Sequence, residues 1–352
     1  MTVTPVPASF NPVSGLVNRI LGIKPLFDIA RYQARNMMIK RAEKLGVPWR
    51  ETVKQWQQRD WSRELQAVEN PDLVYPEYYV CSFHAYEKGN LDWLPAFEVE
   101  SAAYAVHSTI WPGAGMDGDP RLRREYHRIL KEQIKAEIND IVDLGCSVGM
   151  SSFALQDTYP QAKVTGLDLS PYYLAVAQYQ AQQKQKTIQW QHAAAEKTQL
   201  PSQSYDLVSS FLMFHELPQQ ATREIFAEAR RLLRSGGYLT LMDMNPRSEI
   251  YRKMPPYVLT LLKSTEPYLD QYFTLDIEQA LVEAGFQAPI ITPPVPDIGR
   301  LLRGFPNHNF EVINEDNFSS KLDKDINYCP SLPVNFCQQN PCPSCHGRAN
   351  SR

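Results

Sequence analysis

Apolar and polar positions fall into two regimes along the chain. From Arg121 onward, short apolar runs alternate with amphipathic stretches of helical period. A charged amphipathic helix is predicted over 121–137, followed by a buried strand at 140–144, in which Asp143 is the single acid near the carboxyl end. A glycine-bearing turn leads into a helix at 150–157, then the strand 163–168, then a helix opening at Pro171, the favoured first helical residue after the cap Ser170. Residues 187–191 read as a short strand and 206–211 as a buried one. A helix at 220–234 ends on Ser235-Gly236-Gly237, and 238–243 is the next strand. This succession predicts an α/β fold, a doubly wound and mostly parallel sheet that binds ligands at the carboxyl ends of its strands.

The N-terminal third of the chain lacks that alternation. Residues 1–14 carry three prolines and no period. A dense apolar stretch from Leu16 to Ile29, broken by Pro25, continues as a predicted helix through Leu45 with basic residues on its outer side. Trp49, Trp56 and Trp61 mark further helices that bury aromatic faces. The stretch 75–93 is rich in rings and polar tips, with His84, Tyr86 and Trp93 as candidate substrate contacts of a lid; the alternative is a loop that only holds two helices together. A helix at 94–110 follows, and Trp111 to Pro120 suits a linker or hinge. The expected organisation is a helical cap at 1–118, an α/β domain at 119–300, and a Cys-, Pro- and Asn-rich tail at 301–352 that is predicted to be disordered. A strand at 287–292 fits the pattern, and 301–310, with Pro306, is a weak candidate for a closing strand.

Composition sharpens this in three ways. With 352 residues and 43% hydrophobic content the chain can build a sizeable core. Net charge is −3, yet residues 15–54 hold nine Lys/Arg against three acids, +6, which leaves −9 elsewhere. The basic stretch reads either as a peripheral membrane contact or as a helix packed on the protein's own core. An acidic domain argues against nucleic acid, and the lack of an apolar span or signal-like start suggests a cytoplasmic protein. The oligomeric state stays open. Cys81 and Cys146 lie in the body, whereas Cys329, Cys337, Cys342 and Cys345 crowd the end, where Cys342-Pro-Ser-Cys345-His346 has haem-attachment or zinc spacing. A polar tail that happens to carry cysteines is preferred, and no metal is assigned.

The chemistry centres on Ile141-Val-Asp-Leu-Gly-Cys-Ser-Val-Gly149. Read as G-x-S-x-G, the turn fits a hydrolase nucleophile elbow with Ser147 as nucleophile and His215 and Asp206 as partners. The preceding chain is helical, however, where such hydrolases place several strands. Asp168 ends the next strand nineteen residues after Gly149, where an acid can take two ribose hydroxyls. A dinucleotide fingerprint is a poorer match, because Ser147 and Ser152 are not glycine.

Four blocks carry a resemblance: 142–149, 164–171, Ala195-Glu196 with Leu200-Pro201 and 205–208, and 228–239. In that order and spacing, residues 121–292 resemble a class I S-adenosylmethionine (SAM)-dependent methyltransferase of Rossmann-like fold. The resemblance is nearest the branch with ubiquinone and menaquinone C-methyltransferases, and 275–286 matches the helix before that family's last strands. It implies that the turn of Gly145, Cys146, Ser147 and Gly149 holds the methionine end of SAM and that Asp143 orients its ammonium group. By the same likeness Asp168 takes the ribose hydroxyls, Leu169 packs on adenine, Ala195 and Glu196 flank its amino edge, and Phe211 completes the set. Ser147 stands where the family has glycine, and Ala194 where an Asp is frequent. His215, after the fourth strand, is the candidate general base, with Glu216 beside it. The expected acceptor is a small apolar or amphipathic molecule, such as a quinone, phenolic or lipid; whether O, N or C is methylated is left open. The competing reading is a SAM-binding interaction module without turnover.

Overall fold

The computed structural model describes residues 24–292, apart from positions 85, 112, 247 and several between 249 and 264, together with 308–314. Its centre is a seven-stranded sheet of order β3-β2-β1-β4-β5-β7-β6. The strands are β1 (Asp140–Leu144), β2 (Lys163–Asp168), β3 (Ile188–His192), β4 (Tyr205–Phe211), β5 (Leu233–Met244), β6 (Ile290–Thr292) and β7 (His308–Asn314). β1 to β5 are parallel, and β7 runs antiparallel between β5 and β6. β1 sits in the middle with Ile141, Val142 and Leu144 fully buried, as expected for a parallel strand covered on both faces.

Helices flank this sheet. α5 (Gly118–Gln133) precedes β1, α6 (Met150–Thr158) and α7 (Pro171–Gln183) connect β1 to β3, and α8 (Gln219–Leu232) leads into β5. The Ser170 hydroxyl accepts from the Tyr173 amide and Pro171 opens α7, as the sequence indicates. On α5, the buried Tyr126 hydroxyl is hydrogen-bonded to Ser209 Oγ at 3.0 Å and to Thr240 Oγ1 at 2.7 Å, tying the helix to β4 and β5.

Ahead of α5 lie α1 (Lys24–Lys44), α2 (Trp49–Gln57), α3 (Ser62–Val68) and α4 (Trp93–His107). They share an aromatic core with α7: the Trp61 ring lies 5.4 Å from both Phe97 and Tyr179. The described residues fall within one compact unit, so the helical region is welded to the sheet. Some basic residues of α1 and α2 serve this packing. Arg35 turns inward to Glu98, which is almost wholly buried, and Arg50 pairs with Glu43. No helix among the described residues is long and apolar enough to cross a membrane.

Three expectations are corrected. The stretch 111–120 is no free hinge: α5 begins at Gly118, and buried Asp119 binds His107 Nδ1 at 2.7 Å and Arg123 Nε at 2.9 Å. The helix expected to reach residue 234 ends at Leu232, and β5 begins at Leu233 with a bulge before pairing resumes at Leu207 and Tyr238. The bulge lets Arg234 reach Asp206 at 2.6 Å and Asp140 at 2.7 Å, two acids at the start of β4 and β1. Finally, residues 308–314 do not belong to a disordered tail. They form β7, because the amide and carbonyl groups along β5 need a ladder partner that outweighs the weak strand propensity of an Asn-rich segment. The rest of the Cys-rich tail, with its haem and zinc readings, lies outside the described residues.

A chain ending at residue 307 loses seven ladder pairs against β5 and exposes that strand's edge. Its thermal midpoint is expected to fall by about 5 °C or more, or the protein to aggregate, when compared by calorimetry with a chain ending at residue 316.

Candidate active site

The turn after β1 is built around two buried carboxylates. Asp143 is fully buried, and its Oδ2 accepts hydrogen bonds from the Ser151 and Ser152 hydroxyls, each at 2.6 Å, while Oδ1 has no partner. Burial raises this carboxyl to about pKa 6, against the opposing pull of the two hydroxyls. Asp168, at the end of β2, accepts from the Ser147 and Ser170 amides, both at 2.8 Å, and from the Tyr79 hydroxyl. Burial lifts it to about 6 as well.

The backbone between them is left-handed at three places: Gly145 at φ 69°, Ser147 at 51° and Gly149 at 85°. A Cβ on Gly145 would stand 2.5 Å from Met213 Sδ, so glycine there serves packing as well as the turn. Ser147 carries a side chain where glycine is favoured, at a cost of roughly 1–2 kcal/mol. Its amide bond to Asp168 holds it in place, and its hydroxyl is buried without a partner. Cys146 is buried and its thiol is pushed well up by desolvation, which makes it an inert wall residue.

This turn opens on a cavity of about 650 Å³. Gly145, Cys146, Ser147, Asp168, Leu169, Ala195 and Phe211 line it, and so do His84, Tyr86 and His215. Four expected residues do not line it: Asp143, which is fully buried, Gly149, Glu196 and Trp93. Glu196 does not reach the cavity wall, because both its carboxylate oxygens accept from the Tyr78 hydroxyl, at 2.9 and 3.1 Å. Trp93 packs at 4.9 Å from Tyr172 and 5.6 Å from Trp61 and Phe97, inside the aromatic core, since its position opens α4 on the side facing α7. Tyr86 lines the cavity while donating to Glu98 Oε2 at 2.6 Å.

His215 lies on a short 3-10 turn after β4, and its Nδ1 is 2.7 Å from Asp243 Oδ1. Asp243 is itself held by the Phe214 amide at 2.7 Å on its other oxygen. Burial disfavours the charged imidazole, but Asp243, with Glu216 and Glu266 beyond it, outweighs burial and raises His215 to about 9. His84 is likewise raised to about 9, burial being outweighed by Glu266 and Glu216. Burial lifts Glu216 to about 7, against the pull of the two histidines.

Asp243, Ser151, Ser152, Tyr79, Arg123 and Glu266 are site residues that sequence reasoning missed. Asp243 carried a signal, as an acid closing a buried strand beside the one that delivers His215. Arg123 faces the cavity with its guanidinium 4.3 Å from the Phe211 ring centre, steered by Asp119. Burial pushes the Asp119 carboxyl up, but Arg123 and His107 together hold it well below the usual carboxylate range.

The geometry does not assemble a serine hydrolase. Ser147 Oγ has no hydrogen-bond partner, so no base activates it. Asp206 is occupied by the Asn139 and Asp140 amides and Arg234, and the acid on His215 is Asp243.

Residues 141–237, from β1 into β5, match the family model described as a methyltransferase domain. The strand order with β7 antiparallel between β5 and β6 frames that segment. These residues form a methyltransferase domain. The chain is 28% identical over 158 residues to malonyl-[acyl-carrier protein] O-methyltransferase of Paenibacillus sp. (strain JDR-2), covering 43% of this chain and 56% of that protein. It is 33% identical over 119 residues to trans-aconitate 2-methyltransferase of Azoarcus sp. (strain BH72), covering 33% and 44% respectively. With ubiquinone biosynthesis O-methyltransferase of Coxiella burnetii (strain Dugway 5J108-111) it shares 25% over 169 residues, 47% of this chain and 70% of that one. The chain thus spans about half the length, or less, of the first two relatives. Among solved structures, geranyl diphosphate C-methyltransferase from Streptomyces coelicolor A3(2) is 14% identical, with a TM-score of 0.44, over 57% of this chain and 78% of that one.

Asp143 and Asp168 are charged only above about pH 6, so a cationic ligand that needs both carboxylates should bind tightly at pH 7.5 and progressively more weakly below pH 6. Titration calorimetry of SAM across pH 5–8 checks this, and D168N should weaken binding at least about tenfold, roughly 1.4 kcal/mol. Because both folded-state pKa values are raised, folding takes up protons between about pH 4 and 6. The contribution of these groups to the stability of the empty protein therefore falls as pH rises through that window.

Proposed function

We propose that this protein transfers the methyl group of SAM to an oxygen of a small apolar or amphipathic acceptor, a quinol, phenol or lipid-like molecule, with His215 as general base. The observation that carries the reading is that one cavity is lined both by Gly145, Ser147 and Asp168 and by His215, which Asp243 orients.

The residues present fit the cofactor. The unpartnered Oδ1 of Asp143 is a buried acceptor in want of a donor, which the ligand's ammonium group or a bridging water supplies. The two oxygens of Asp168 accept the Ser147 and Ser170 amides and the Tyr79 hydroxyl, which leaves one acceptor position for a ribose hydroxyl. Leu169 and Ala195 give an apolar wall for the adenine, and Arg123 offers a fixed guanidinium to the ligand's carboxylate. When bound, SAM supplies an already activated methyl group on a sulfonium. The protein's task is then to align an acceptor and exclude water.

His215 is oriented for proton removal. Nδ1–H donates to Asp243, which directs Nε2 to the acceptor, and Nε2 has no hydrogen-bond partner among the described residues. In the empty site the surrounding carboxylates favour imidazolium. A sulfonium cation bound in the same cavity opposes that charge and favours the neutral base. The wall from α1 and α4 sets Met37, Met38, Ala102, Ala103 and Val106 beside Arg35, Arg41 and His107, an apolar face with a polar rim that suits an amphipathic acceptor. Relatives named as O-methyltransferases, including those of ubiquinone biosynthesis, support an oxygen nucleophile.

Incubation with methyl-labelled SAM and quinol, phenol and lipid panels should yield a labelled acceptor. H215A should lower kcat about 10²- to 10⁴-fold while SAM affinity stays within about threefold. Tight SAM binding with no labelled product on any panel would instead favour the binding-module reading, and an unchanged rate in H215A would remove the base.

A further inference from the structure

Within the cavity, three side chains from distant regions of the sequence converge in a way the methyl-transfer reading leaves unused. His84, Glu216 and Glu266 each bring one ligand atom to a common point, all within 4.8 Å of one another. His84 Nε2 is 3.0 Å from Glu266 Oε1 and 3.6 Å from Glu216 Oε1. Nitrogen and oxygen ligands at about 2.0–2.2 Å from a metal stand roughly 3–3.6 Å apart around it, so the set needs little side-chain movement to close on one ion. The backbone holds it there, because the His84 amide donates to the Thr265 carbonyl at 2.8 Å and so places the imidazole beside Glu266.

A second observation points the same way. The Glu266 side chain is only 8% exposed, and its Oε2 is buried with no hydrogen-bond partner. Glu266 lines the cavity, as do His84 and Glu216. A salt bridge to His84 satisfies one oxygen of this carboxylate and leaves the other without the donor that a buried carboxylate requires. An ion seated between the three residues would draw on Glu266 through either oxygen.

We propose that His84, Glu216 and Glu266 bind a divalent cation on the cavity wall. One imidazole and two carboxylates form a mixed nitrogen and oxygen set, suited to Mn²⁺ or Zn²⁺ rather than to a thiolate-seeking ion. Three protein ligands leave positions open for water or an acceptor oxygen, which is the pattern of a metal site that holds substrate. The site is distinct from the carboxylates of the turn, and its occupancy does not depend on SAM.

Mn²⁺ is the probe of choice, because the four cysteines at 329, 337, 342 and 345 offer Zn²⁺ competing thiolates. Full-length protein without SAM, titrated with Mn²⁺ by electron paramagnetic resonance, should bind one ion per chain saturably. E266Q and H84Q should each weaken binding at least tenfold, with circular dichroism reporting their fold. E216Q, at the more exposed of the two carboxylates, should also lose at least tenfold and guards against a folding defect at Glu266. Absence of saturable Mn²⁺ binding, or binding that survives these substitutions unchanged, would overturn the site. Since no SAM is present, either result is independent of the methyl-transfer reading.

Discussion

The carboxylate of Asp168 is the constraint on which the site depends. It ends β2, yet its two oxygens hold the amide of Ser147 in the turn after β1 and the amide of Ser170 at the start of α7. A single side chain thereby sets the left-handed Ser147, the spacing between two strand ends and the entry of a helix. Asp143 has the matching role on the neighbouring strand, where Ser151 and Ser152 on α6 bind one oxygen and leave the other unpaired. Holding two carboxylates in a dry setting is unfavourable for the empty protein, and both are raised to about 6. A cation bound there relieves that cost, so local stability is traded for ligand affinity.

Most of the sheet was legible because period and punctuation agree. The run 140–144, the strand 163–168 and the Ser170-Pro171 start of α7 stand where the pattern puts them. Legibility failed where a tertiary partner decides the outcome. Nothing in Arg234-Ser-Gly-Gly announces that Arg234 will span Asp140 and Asp206 and draw the chain into a bulge. Nor does the segment 308–314 advertise a strand; the open ladder of β5 makes it one.

The site divides in the same way. The glycine turn, Asp143 and Asp168 belong to one contiguous strand-turn-helix repeat, so local spacing reveals them. The cluster of His84, His215, Glu216 and Glu266 on the cavity wall comes from an N-terminal loop, the turn after β4 and a segment beyond β5, and only the fold makes these residues neighbours. Aromatic richness at 75–93 does not say which side chains face the cavity. His84 and Tyr86 do, while Trp93 turns to Trp61, Phe97 and Tyr172. Glu196 lies off the wall for a comparable reason: the Tyr78 hydroxyl that captures it lies 118 positions away in sequence.

Arg123 shows how such an assembly is stabilised. Its guanidinium is oriented by buried Asp119, which His107 also binds, and it lies over the ring of Phe211 at the end of β4. The helical cap and the sheet thus meet at a charge that faces the cavity. A crystal structure of the protein with S-adenosylhomocysteine tests this assignment of the site most directly. Ribose hydroxyls are expected within hydrogen-bonding distance of Asp168, with the ligand carboxylate toward Arg123 and its sulfur open to His215. A ligand bound away from the turn, with Asp168 making no contact to it, would contradict it.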